Sequence, residues 1–167
     1  MKTRAMVTVA LLIAISVILT RVFGIMLPVA GVMSLRISFG EIPIYLSGIL
    51  FGPFAGAAAG AIADVIGVTV AGLDFFPGFT ISAALAGFIP GLMLHSRRHD
   101  LTFLRLLITL ALAGLIVTLL NTYWVVVLYR AGALAILPAR LLSRAVMIPV
   151  HSGLVWLLVT RGQLIRE

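Results

Sequence analysis

Apolar residues in this chain come in long uninterrupted blocks, with neither the strict alternation of a half-buried strand nor the one-sided period of a soluble amphipathic helix. A membrane-crossing helix needs about 20 mostly apolar residues, and in lipid the backbone has to satisfy its own polar groups, so blocks of this kind predict helices. The pattern predicts six of them, over 5–23, 41–52, 54–71, 79–95, 103–129 and 137–160, in a single membrane domain covering 1–167. Between the first two, the stretch 25–34 carries Pro28 and Gly31 and reads as a loop. The second and third blocks share only the stretch 41–71, interrupted by Gly52-Pro53, which reads as a tight turn because proline is tolerated where a helix starts but not inside one. Two full spans need about 40 residues, so these two helices are short or partly sunk, which lipid permits when their ends line a cavity.

With 62% hydrophobic and 10% charged residues, the chain cannot be a soluble globular domain. Mean hydropathy is +1.25. The fold class is therefore an all-α integral membrane protein. Cysteine is absent, which excludes disulfides and thiol chemistry. The formal charge of +7 would suggest nucleic acid in a soluble protein; here it reads as the positive-inside bias, with no nucleic-acid partner. Met1-Lys2-Thr3-Arg4 followed by an apolar run imitates a secretory signal, but Thr20-Arg21 ends the run without a small-residue cleavage site, so a retained helix is expected. Lys2, Arg4, Arg97, Arg98, Arg105, Arg161 and Arg166 gather at one end, against Arg21, Arg36 and Arg130 at the other. That bias predicts both termini inside.

Small residues recur at spacing four: Gly48, Gly52, Gly56 and Gly60, then Ala83, Gly87 and Gly91, and also Ala10 and Ala14. Each set shares one helix face where backbones can approach closely. For the middle helices this reads as packing within the chain. On the first helix it reads equally as a face for another protein.

A few polar residues stand inside the apolar blocks. Asp64 lies within a glycine-rich helix, where a carboxylate costs several kcal/mol unless it is paired or faces a cavity. It is either half of a structural ion pair or a ligand partner. Arg140 and Arg144, one turn apart, share a face, and with Arg21 and Arg36 they supply planar donors suited to carboxylates. Arg21, Arg36 and Arg130 fit snorkelling to headgroups as well. Phe75, Phe76 and Phe79 belong to an aromatic entrance to the fourth helix, and Asn121 precedes Tyr123 and Trp124 in the fifth. Aromatics of this kind are either interfacial belt residues or the walls of a flat-ring site. The chain has one lysine, Lys2, so it has no phosphate-loop lysine. His95, His99 and His151 lack metal-ligand spacing, and no nucleophile–base motif surrounds the serines. Neither an enzyme, nor a metal, nor a cofactor is expected.

Several fragments occur together in order. They are Leu35-Arg36-Ile37-Ser38-Phe39-Gly40-Glu41-Ile42-Pro43-Ile44, Leu50-Phe51-Gly52-Pro53, Ala63-Asp64-Val65-Ile66-Gly67 and Phe76-Pro77-Gly78-Phe79-Thr80. Toward the end come Leu120-Asn121-Thr122-Tyr123-Trp124 and Leu137-Pro138-Ala139-Arg140-Leu141. Across nearly the whole chain these resemble the folate-specific substrate-binding (S) components of energy-coupling factor (ECF) vitamin transporters. The resemblance implies a six-transmembrane-helix S-component bundle, N-in and C-in, in the bacterial cytoplasmic membrane. It implies folate captured from outside, and docking to a transmembrane coupling subunit and two ATPases that carry the ATP chemistry. It implies substrate-binding roles for Asp64, Arg140, Arg36, Arg21, Arg144, Asn121, Trp124, Phe75, Phe76 and Phe79, and a coupling-subunit contact at Ala10 and Ala14. Arg130 stands where many relatives have glycine, and the 25–34 loop is longer than usual. An S component for another vitamin or a queuosine precursor, or a membrane scaffold, are the alternatives.

Overall fold

The computed structural model describes residues 3–29, 32–130 and 132–164, with side chains outside 26–29, 32–37, 98–100 and 162–164. Its α-helices are α1 (Thr3–Arg21), α2 (Glu41–Phe51), α3 (Pro53–Val70), α4 (Pro77–Leu94), α5 (Phe103–Tyr129) and α6 (Ala133–Leu164), with a 3-10 helix at His95–Asp100. All except α2 are long and apolar enough to cross a membrane. At eleven residues, α2 is about half the length that a span requires. The last helix begins at Ala133, ahead of the expected 137, and passes through Pro138 and Pro149.

The stretch expected to be a loop is instead an antiparallel hairpin, β1 (Ile25–Val29) with β2 (Val32–Ile37). Its register breaks between Leu27 and Pro28, where proline has no N–H to give the ladder. The sequence hides this hairpin because β1 is apolar on both faces, and in β2 the alternation of Ser34 and Arg36 with Met33, Leu35 and Ile37 is too short to stand out beside the helical blocks.

Local chemistry sets the helix ends. Gly52 closes α2 and precedes α3 at φ 101°, ψ 170°, a conformation that suits glycine, and Pro53 then starts α3 without losing a needed N–H. Pro77 starts α4 in the same way. Helix α5 ends at Arg130, which holds a left-handed conformation (φ 50°, ψ 28°) at some steric cost.

Glycines let α2, α3 and α4 meet backbone to backbone. A Cβ on Gly87 would run into the carbonyl of Gly56, one on Gly48 into the carbonyl of Gly87, and one on Gly91 would lie 2.8 Å from the Pro53 nitrogen. This seam is the close helix packing that small residues allow in lipid. Around it, Ile49, Leu106, Leu110, Ile136 and Val155 are fully buried. Large apolar side chains such as Leu11, Ile15, Leu112, Leu142 and Val146 cover the outside of the bundle, as they do where lipid replaces water. The bundle thus has two unlike ends. One carries the hairpin, Arg21 and the α3–α4 connection; the other carries Pro53, the 3-10 helix and the start of α5.

Candidate substrate-binding site

At the hairpin end a cavity of about 380 Å³ opens among all six helices. Ser16, Thr20 and Arg21 come to it from α1, Glu41 and Ile44 from α2, and Asp64 and Val68 from α3. Phe79 and Ala83 come from α4, Thr118, Asn121 and Tyr129 from α5, and Arg140, Ser143, Arg144 and His151 from α6.

Asp64 is half-buried in this wall, and Thr80 donates a hydrogen bond of 2.9 Å to its Oδ2. Among the described residues its Oδ1 accepts no hydrogen bond. Arg21 reaches over α3 beside it and interacts electrostatically with Asp64 without forming an ion pair. Room for that guanidinium comes from Gly67, where a Cβ would lie 2.8 Å from the Arg21 Nε. The same Nε is buried and, among the described residues, has no hydrogen-bond partner. Asn121 adds a second acceptor, since its Oδ1 is buried and has no partner among the described residues.

The two arginines of α6 have different surroundings. Arg140 is buried, its Nη1 donates to Thr122 Oγ1 at 3.2 Å, and its Nε has no partner among the described residues. Arg144 donates through Nε to Thr118 Oγ1 at 2.9 Å and through both terminal nitrogens to the two oxygens of Glu41, the Nη2 contact measuring 2.6 Å. Tyr45 also donates to Glu41, at 2.6 Å. His151 stands with Nδ1 3.8 Å from the same carboxylate, while its Nε2 donates to the Ser38 carbonyl at 3.1 Å. The Ser38 hydroxyl in turn donates to Leu19 O, and that of Ser16 to Gly40 O. The end of the hairpin is thereby tied to α1 and α6.

Of the four aromatic residues expected at the ring site, only Phe79 lines the cavity. Phe76 packs edge-on against both Phe79 and Trp124, with centroids 5.7 and 5.6 Å apart, and the Trp124 indole donates to Ser82 Oγ at 3.2 Å. These rings lie behind the wall and hold Phe79 in place, with Gly78 leaving space for the indole. Phe75 is exposed. The side chain of Arg36 lies outside the described residues. Ala10 and Ala14 lie on the exposed face of α1, opposite the buried Val9, Ile13 and Ser16.

Reading the sequence overlooked Glu41, Tyr45, His151 and Thr118. Glu41 carried a signal all the same: it is a carboxylate opening a short apolar helix, four residues before a tyrosine. Its arginine partner lies 103 positions away, and no sequence spacing announces that.

A family model described as ECF transporter, substrate-specific component, matches residues 4–159. The folate transporter FolT of Clostridium novyi (strain NT) is 29% identical over 171 residues, covering 99% of this chain and 95% of that one. Among solved structures, a crystal structure of FolT bound with folic acid superposes with a TM-score of 0.76 at 30% identity, over 96% of this chain and 95% of the other. The S component of a bacterial ECF transporter superposes with a TM-score of 0.65 at 19% identity, over 100% and 99%, which shows a shared fold.

Proposed function

Because the chain belongs to the substrate-specific components of ECF transporters, which are substrate-binding subunits and not catalysts, we propose that it captures folate in the hairpin-end cavity. One observation carries the reading: this cavity joins two acceptors that are unpaired among the described residues, Asp64 Oδ1 and Asn121 Oδ1, to two guanidinium groups with nitrogens unpaired in the same sense, those of Arg21 and Arg140. Folate has the complementary ends. Its pterin edge offers adjacent N–H donors to Asp64 and Asn121, and its glutamate offers carboxylates to Arg140 and Arg21. Phe79 flanks the flat rings, with Phe76 and Trp124 bracing it from behind. Arg144, already neutralised by Glu41, shapes the wall beside Arg140, and Arg36 and Phe75 complete the proposed set of substrate-binding residues.

The protein is a multi-pass membrane protein. In the full proposal, α2 completes a six-transmembrane-helix bundle in the bacterial cytoplasmic membrane, with both termini inside and the hairpin end outside. A coupling subunit docks on the exposed α1 face at Ala10 and Ala14, and two ATPases drive the cycle. Similarity to a folate transporter and to a folic acid-bound structure supports the substrate.

Two experiments test these halves separately. Purified protein should release a pterin with near-ultraviolet absorption, and isothermal titration should show saturable folate binding; titration by another vitamin alone would overturn the substrate. Ala10→Trp or Ala14→Trp should leave that titration unchanged and abolish uptake by the assembled transporter. Loss of folate binding in either variant would instead make the α1 face part of the fold.

A further inference from the structure

The opposite end of the bundle has a groove of its own, about 510 Å³, between the end of α4 with the 3-10 helix and the first turns of α5. Its walls combine two chemistries. Leu92, Met93 and Ile108 are apolar and 62%, 42% and 55% exposed, while Arg97 and Arg105 also line the groove and are exposed. Among the described residues neither guanidinium has a carboxylate within ion-pair distance or a hydrogen bond to the protein. The apolar stretch of α4 ends at Arg97, and Phe103 packs edge-on against Trp156 at the same level, with centroids 6.3 Å apart. Aromatics at helix ends mark the depth of the lipid headgroups. The two cations therefore lie where phosphates lie, and the apolar wall lies where acyl chains begin.

We propose that this groove is a binding site for one anionic glycerophospholipid, its phosphodiester held between Arg97 and Arg105 and an acyl chain laid along Leu92, Met93 and Ile108. Guanidinium matches phosphate oxygens through paired hydrogen bonds, and two exposed positive charges select an anionic headgroup over a zwitterionic one. A free phosphate would use the arginines and leave the apolar wall bare; the groove's mixed lining fits the whole lipid. The inference rests on the membrane location alone and not on the identity of the transported substrate.

The test compares lipid binding by the purified chain in nanodiscs, read by native mass spectrometry, for phosphatidylglycerol and phosphatidylcholine. One phosphatidylglycerol should be retained per chain. Arg97→Gln/Arg105→Gln should weaken its retention about 30-fold, from roughly 1 kcal/mol for each basic residue at a membrane surface. Arg4→Gln/Arg161→Gln, at the same end of the bundle but outside the groove, should leave it unchanged. Equal loss in both pairs would reduce the effect to diffuse surface charge and overturn the site. So would equal retention of phosphatidylcholine, or binding of soluble glycerol 3-phosphate as tight as that of the lipid. Should the double variant fail to fold by circular dichroism, the single Arg105→Gln is read in its place, with a loss of about fivefold expected and no loss overturning the proposal.

Discussion

Arg140 and Arg144 carry the same group one helical turn apart, and their neighbours give them different work. Arg144 is held by Glu41 and Thr118; Arg140 meets Thr122 and keeps an unpaired Nε at the cavity. Removing one partner of a buried charged contact costs about 2–5 kcal/mol, so Arg140→Ala or Asp64→Ala should weaken folate binding roughly 30- to 4,000-fold by isothermal titration. Unchanged affinity would remove that residue from the site. Glu41→Ala acts on stability instead. It strands the Arg144 charge, and thermal unfolding in detergent should show a loss of about 3–5 kcal/mol. Adding Arg144→Met should restore much of it, because an apolar pair of similar volume does not need the partner. A double variant no more stable than the single one would mean that the carboxylate acts through Tyr45 or His151.

Among the elements, the α2–α3–α4 seam and α6 make opposite predictions for the same kind of change. Gly87→Leu places a side chain where the Gly56 backbone already sits, so the helices have to separate and stability should fall by at least about 1–3 kcal/mol. Gly153→Ala meets nothing within 4 Å and should be neutral or stabilising by up to about 1 kcal/mol, since alanine favours the helix. Thermal melts of the two variants check both. The seam was legible in the sequence because glycine spacing of four reports a helix face directly. Asp64 was legible for a similar reason, as a lone carboxylate in an apolar helix. The hairpin was not, since β1 has no polar face and β2 offers only Ser34 and Arg36 as a sign of alternation, and neither was the choice of Phe79 over Trp124 as the cavity wall. That choice depends on the rotation of α4 and α5 about their axes, which uniformly apolar helices do not record. Glu41 and Arg144 needed the tertiary fold to bring them together.

For the whole molecule, the absence of cysteine makes orientation directly measurable. Ala71→Cys sits exposed at the hairpin end and Ser96→Cys exposed at the other. With both termini inside, a membrane-impermeant maleimide should label the first in intact cells and the second only after lysis; the reverse pattern would invert the orientation. The molecule also divides its labour by height. The frame is sealed through Gly48, Gly56, Gly87 and Gly91, which do not line the chamber where Asp64, Asn121 and Arg140 stand; the seam meets the chamber wall at Gly60, against Ala83. A scaffold closed by bare backbone is indifferent to what its chamber holds, so the chamber can be rewritten for another cargo without solving again how the helices meet. That makes the fold evolvable, and an S component only 19% identical shares this fold over the entire chain.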